Sequence, residues 1–283
     1  MLERFERAAD RRLPAASRVP TRLHEAMRYA VLDGGKRVRP LLVYAAGEVS
    51  AAAPAALDCA ALAVEYVHAY SLIHDDLPCM DDDVLRRGKP TVHIAFDEAT
   101  AMLAGDALQA EAFKVLVDAP LPPAVCAALM RELAHAAGTE GMCGGQAIDL
   151  AAVGQEMSAD ELERMHRMKT GALLHASVRM GALAGAADEA TLAAINAYGR
   201  AIGLAFQIVD DVLDVEGSSE VLGKTAGKDA RQAKPTYVSV LGLDAAKARA
   251  ERLRVEAADA IAGLGPSALR LRQLADFIVL RSH

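Results

Sequence analysis

The chain has 283 residues and a formal net charge of −7; 53% of its residues are hydrophobic, only 4% are aromatic, and none is Trp. A negative balance excludes general attraction to nucleic acid or anionic lipid, so an anionic substrate would need local positive charge or metal ions. A core made mainly of Ala, Leu, Val and Ile makes helix the default expectation, because alanine and leucine are the strongest helix formers.

The opening stretch MLERFERAADRRLP is charged throughout and lacks the apolar segment of a secretory signal. Residues 22–40 read as a helix stopped at Gly34-Gly35, followed by a basic loop closed by Pro40. That loop, GGKRVRP, offers Lys36, Arg37 and Arg39 but lacks the GxxxxGK[ST] pattern of a nucleotide-binding loop. Residues 54–76 read as one long helix ending near Pro78; its Asp58, Glu65 and His68 argue against a membrane span. Further helices are expected over 100–117, bounded by the turn APLPPA, and over 124–138. Residues 158–185 open with a capping-box pattern, Ser158 followed by Glu161. Residues 188–215 form another long helix, and 216–237, rich in Gly, Ser and Lys, read as a mobile loop. Helices resume near Val238. No segment alternates as a strand should, and no linker divides the chain. The expectation is one all-α domain, 1–283, a bundle of roughly ten helices. Cys59, Cys79, Cys126 and Cys143 form no CxxC pair and read as free thiols of a reducing, cytoplasmic compartment.

Two acidic clusters each end an apolar helix. In FQIVDDVLD, Gln207, Asp210, Asp211 and Asp214 stand at i, i+3, i+4 and i+7, along one stripe. In the first cluster His68, Ser71 and Asp75 share a stripe, with Asp76 beside Asp75. Asp81 would return beside Asp75 only if the chain bulges around LPCM, while Asp82 and Asp83 face outward. A lone DDxxD on a helix is usually a solvated face. Two of them, each followed by basic residues, point instead to magnesium, which binds carboxylate oxygens and bridges them to substrate phosphates. The nearby cations are Arg86 and Arg87, Lys169 beside Thr170, and Lys224, Lys228 and Lys234 in the loop; guanidinium forks suit phosphate oxygens. Tyr70, five residues before Asp75, is either core packing or a wall that limits the depth of an apolar ligand.

The motifs DDLPCMD…RRG, GGKRVRP, KTG, FQIVDDVLD and GKTAGKD…K occur in the order and spacing of the trans-isoprenyl diphosphate synthases. Over about residues 22–281 the chain resembles that family, nearest to its bacterial farnesyl diphosphate-forming members. The resemblance implies helices around a deep central cavity, and two substrates joined head to tail: isopentenyl diphosphate, and dimethylallyl or geranyl diphosphate. It implies three magnesium ions held by Asp75, Asp76, Asp81, Asp210, Asp211 and Asp214. It places Gly35, Lys36, Arg39, His68 and Arg87 at isopentenyl diphosphate, and Arg86, Lys169, Lys224 and Lys234 at the allylic diphosphate. Thr170 and Gln207 would line the site of the carbocation. Tyr70, with Ser71 next to it, would set a farnesyl chain length, the alternative being a geranylgeranyl or geranyl diphosphate synthase of the same family. A homodimer is implied, and no nucleic acid or membrane insertion. The short, weakly basic end LRSH leaves Arg281 without an assigned role in closing the site. A non-catalytic isoprenoid-binding subunit would be expected to lose one acidic cluster; a His-Asp phosphohydrolase would leave the second unexplained; a terpene cyclase would carry Asn, Ser or Thr with Glu in place of DDVLD.

Overall fold

A computed structural model describes residues 1–32, 34–216 and 235–281. Helix α1 (Leu2–Arg12) buries Phe5, Ala8 and Ala9 while its charges face outward. The charged opening stretch therefore hides an amphipathic helix that spacing alone could have shown. Helix α2 (Thr21–Leu32) stops before the Gly34-Gly35 loop, as expected. Helix α3 (Val38–Val49) departs from expectation. Pro40 does not close a basic loop; it lies in the helix's first turn, where a missing N–H leaves no hydrogen bond broken.

Helix α4 (Pro54–Asp75) starts on its proline and is buried along most of its length. A two-residue hairpin, Leu85–Arg86 with Lys89–Pro90, is the one strand pair among the described residues. Then come α5 (Val92–Ala95), α6 (Glu98–Val117), α7 (Pro123–Ala137), α8 (Met142–Ala151) and α9 (Ala159–His166). The capping box at Ser158 and Glu161 forms as read. The segment 158–185 is not one regular helix: a π-helical turn, Arg167–Gly171, separates α9 from α10 (Ala172–Ala184). Helix α11 (Glu189–Glu216) matches its expected span. After it come α12 (Tyr237–Leu241), α13 (Leu243–Ala260), a 3-10 segment (Ala262–Ala268) and α14 (Leu269–Leu280). The expected loop over 216–237 lies almost wholly outside the described residues, and Lys224, Lys228 and Lys234 with it.

Two apolar cores share α3 and α10. Leu173, Ala176 and Met180 of α10 join the core around α1, α4, α6 and α7. Leu174, Val178 and Ala182, on its other face, join the core around α11, α13 and α14. The long apolar helices α4 and α11 have the length and hydropathy of membrane spans, but the apolar windows are 78% and 56% buried inside the fold. Their apolarity is that of core helices, which need no polar face.

Candidate active site

A cleft of about 990 Å³ opens among α3, α4, α8, the π-helical turn and α11. Asp75 and Asp210 both line it, as do Lys36, Arg39, His68, Arg86, Arg87, Lys169 and Thr170. It is also lined by Tyr70, Ser71, Met142, Cys143, Ala147 and Leu150. A smaller pocket of about 430 Å³ lies among α11, α13 and the end of α14; it is lined by Val209, Val212 and Leu213, the apolar residues of the second acidic motif, but by none of that motif's carboxylates, and Arg281 borders both spaces. The chemistry-bearing motifs thus converge on the larger space.

Helix α4 ends at the first acidic cluster, and the chain after it curls back. The Asp81 amide donates to the Asp75 carbonyl at 2.8 Å, Asp82 to Leu77 at 3.1 Å, and Asp83 to Asp76 at 3.2 Å. This is the bulge that returns Asp81 to Asp75. Burial, with Asp81 and Asp76 adding repulsion against the pull of Lys169 and Arg86, lifts the Asp75 carboxyl to about 6. Asp76 differs from its expected role. It is buried, and Arg86 holds both its oxygens through Nε and Nη2 at 2.6–2.8 Å. Its carboxylate is an anchor for Arg86 rather than a cleft-facing ligand. Asp82 is exposed; Asp83 lies 3.9 Å from Arg86.

The second cluster divides in the same way. Asp210 faces the cleft. Asp211 is buried and accepts from the Tyr237 amide at 2.8 Å and from Gln207 Nε2 at 2.9 Å, tying α12 to α11. Asp214 is buried one turn further along. Gln207 is not part of the cleft wall: its Oε1 accepts from the Thr170 hydroxyl at 2.9 Å while its Nε2 serves Asp211. The hydrogen-bonded chain Thr170–Gln207–Asp211–Tyr237 therefore orients the site from behind. The i, i+4 spacing that aligned these residues on a helix could not say which of them would find protein partners.

The cations gather opposite. Arg87 Nη1 donates to the Gly34 carbonyl at 2.6 Å, and a Cβ on Gly35 would sit 2.7 Å from the Arg87 guanidinium carbon. With φ +108° as well, position 35 requires glycine. Arg39 is pushed down to about 10, chiefly by burial, with Arg87 repelling it and Glu65 and Asp210 opposing the shift; its Nε has no partner. Burial and then Arg39 and Arg87 hold His68 well below its usual range, so it is neutral near pH 7. Burial also lowers Arg87. Mutually repelling, under-partnered cations of this kind form an anion site. Arg37 is not among them. It turns inward to Glu65 and Glu6, each at 2.7 Å, and anchors the loop.

The π-helical turn presents Lys169 and Thr170 to the cleft, as such widened turns do at functional sites. Lys169 Nζ donates to Asp149 Oδ2 at 2.6 Å. Tyr70 is buried in the cleft wall, edge-on to His74 at 5.8 Å between ring centres, with its hydroxyl 3.8 Å from Cys143 Sγ. Ser71 donates to the His68 carbonyl at 2.9 Å. The sequence reading missed Gln146 and Asp149, one turn apart in GGQAID, and left Arg281 unassigned. Arg281 Nη2 reaches Asp210 Oδ1 at 2.5 Å, and its guanidinium lies 4.2 Å from the Phe206 ring centre. No local pattern marks it, because its partners are about seventy residues away.

Among the described residues no three His, Cys, Asp or Glu side chains converge to form a metal cage by themselves. Asp76 and Asp211 are turned to protein donors. Asp75 and Asp210 nonetheless approach one cleft from opposite walls, with Asp81 beside Asp75, and burial, with Asp81 adding repulsion, raises the Asp75 carboxyl. Such hard oxygen donors fit magnesium that takes its remaining ligands from phosphate and water.

An all-helical fold with two acidic helix ends facing across a cleft defines a class of diphosphate-handling enzyme, and comparison with known proteins agrees. The polyprenyl synthetase family model matches residues 20–260, and the chain belongs to that family. It is 50% identical over 265 residues to the farnesyl diphosphate synthase of Escherichia coli (strain K12), covering 91% of this chain and 89% of that enzyme. The apo crystal structure of an FPP/GFPP synthase from Zymomonas mobilis superposes with a TM-score of 0.88 at 42% identity, covering 98% of this chain and 95% of that one. The Helicobacter pylori geranyltransferase complexed with magnesium and isoprenyl diphosphate has a TM-score of 0.87 at 35% identity, covering 99% and 94%.

Proposed function

We propose that this chain is a farnesyl diphosphate synthase that condenses isopentenyl diphosphate with dimethylallyl and then geranyl diphosphate. The observation that carries the reading is the single cleft in which Asp75 and Asp210 face each other beside the Arg39–Arg87 cations, with an apolar end walled by Tyr70. Lys36, Arg39, His68 and Arg87, around Gly35, would hold isopentenyl diphosphate. Asp75, Asp81 and Asp210 would hold magnesium, expected as three ions, with the allylic diphosphate; Arg86 and Lys169 would contact that diphosphate directly. Bound metal would neutralise the charge that develops on the leaving group.

The chain's own residues do the rest. The allylic C1–O bond breaks and its electron pair leaves with diphosphate, beside Lys169. The double bond of isopentenyl diphosphate then attacks C1, forming the new carbon–carbon bond and a tertiary cation. That cation loses a proton to restore a double bond. No cleft residue is placed as the base: His68 sits among cations that hold it neutral yet poorly basic, and burial raises the Tyr70 hydroxyl. The released diphosphate takes the proton. Thr170 lines the cleft with its hydroxyl hydrogen committed to Gln207, which would leave its oxygen lone pairs for the reacting carbons. Apolar side chains keep water from the cation.

The enzyme would act in the cytoplasm as a homodimer, supported by the exposed apolar Met102, Leu103 and Val117 along α6. The test is incubation with isopentenyl diphosphate and each allylic diphosphate, with and without magnesium, and chromatography of the dephosphorylated products. A fifteen-carbon alcohol should dominate and appear only with metal; no prenyl product under any condition would overturn the reading, and a twenty-carbon product would replace farnesyl with geranylgeranyl diphosphate.

A further inference from the structure

Gln146 of α8 has no part in the steps above. It lines the cleft, yet neither Oε1 nor Nε2 has a hydrogen-bond partner and both are out of reach of water. An unpaired buried polar group costs about 1–3 kcal/mol, which a partner arriving with the substrate would offset. The helix register says where that partner lies. Cys143, Gln146 and Asp149 follow at i, i+3 and i+6, each step advancing about 4.5 Å along the axis. Cys143 Sγ is 3.8 Å from the Tyr70 hydroxyl, at the hydrocarbon end. Asp149 Oδ2 is 2.6 Å from Lys169 Nζ, at the diphosphate end. Gln146 is level with the junction of head and tail, where the allylic bond breaks. This height is held firmly, because the neighbouring Gly145 packs so close that a Cβ there would lie 2.1 Å from the Lys169 backbone nitrogen.

We propose that Gln146 is a further catalytic residue of the condensation: its side chain turns into the cleft, and its amide oxygen stabilises positive charge on the allylic carbons. This rests on the synthase reading given above. As the C1–O electron pair leaves with diphosphate, Nε2–H donates a hydrogen bond to the departing oxygen; no proton is transferred to or from the amide. A neutral amide suits this position. A carboxylate would be trapped by the cation as an ester, and a lysine would repel it.

The test compares wild type with Gln146→Leu and Gln146→Glu, using geranyl and isopentenyl diphosphates, a non-ionising thiolo analogue of geranyl diphosphate, and an ammonium analogue of the allylic cation with inorganic pyrophosphate. Gln146→Leu should lower kcat about a hundredfold with both KM values unchanged. It should weaken the ammonium analogue by a similar factor while leaving the thiolo analogue unaffected. Its melting temperature should hold or rise, since an unpaired amide is gone. Gln146→Glu, nearly isosteric, should bind the ammonium analogue more tightly than wild type. Wild-type kcat and ammonium affinity in Gln146→Leu would overturn the proposal, as would a loss confined to KM. If Gln146→Leu fails to fold, unchanged or weaker ammonium binding by Gln146→Glu overturns it instead. Failure of the wild-type enzyme to make prenyl product would count against the synthase reading, and shows in that arm before any variant is compared.

Discussion

Replacing Glu65 by Gln tests whether Arg37 is an anchor rather than a ligand. The side chains of Arg37 and Glu65 are 1% and 3% exposed and meet at 2.7 Å. Arg37 also bonds Glu6, which is 35% exposed, and the Val31 carbonyl, and lies over the Phe5 ring at 5.1 Å. Glu65→Gln keeps volume and an acceptor oxygen but removes the one fully buried counter-charge. Removing one partner of a buried ion pair costs about 3–5 kcal/mol, because the other charge stays buried. The surviving Glu6 contact and the retained acceptor place this variant near the lower end. At about 2–4 °C per kcal/mol for a domain of this size, a loss of about 3 kcal/mol lowers the melting temperature by about 6–12 °C. Far-ultraviolet circular dichroism on heating, and urea midpoints, read this directly. Glu65→Leu should be worse, and Arg37→Met with Glu65→Leu should recover part of the loss, since no charge then remains buried. Because Arg37 fixes the loop carrying Gly35 and Lys36, Glu65→Gln should also raise the KM for isopentenyl diphosphate more than it lowers kcat. A melting temperature within about 2 °C of wild type, or equal loss in the single and double variants, would refute the anchoring role.

Asp75→Asn should reduce turnover by about a thousandfold while melting above wild type near pH 7 in chelator. The native Asp75 carboxyl keeps its proton up to about 6, whereas an unfolded one releases it near 4. Folded protein thus binds the extra proton between those values, stability falls as pH rises through that window, and the advantage of Asn should vanish toward pH 4. Tyr70→Ala should open the hydrocarbon end and shift product toward the next longer prenyl chain; an unchanged chromatogram would remove Tyr70 as the wall. Arg281→Ala should lower the magnesium concentration for half-maximal binding about two- to fivefold, since Asp210, 40% exposed, loses its competing cation; titration calorimetry with inorganic pyrophosphate present reads it, and an unchanged or higher requirement would show the pair does not compete with metal.

Much of the fold was legible because long apolar runs in this chain are helices buried on nearly all sides. The spans of α4, α6 and α11 follow from composition and stop signals, and the Ser158–Glu161 box marks the start of α9. Helix α3 was misread because Pro40 looks like a loop closure until Val38 is seen to begin the helix. The π-helical turn left no mark, since i, i+4 periodicity changes little across one widened turn.

The site was legible as residue types in order but not as orientation. Local sequence determined that two carboxylate pairs would end two apolar helices and that glycines and arginines would stand nearby, because helix periodicity and turn chemistry act over a few residues. Tertiary structure decided that Asp75 and Asp210 open onto the cleft while Asp76 and Asp211 turn to Arg86 and Tyr237, that Arg37 is buried where Arg39 and Arg87 meet the cleft, and that Gln146 and Arg281 belong to it. Those outcomes depend on partners many residues away, and a charged side chain of fixed local geometry still goes to whichever distant partner best offsets its loss of water.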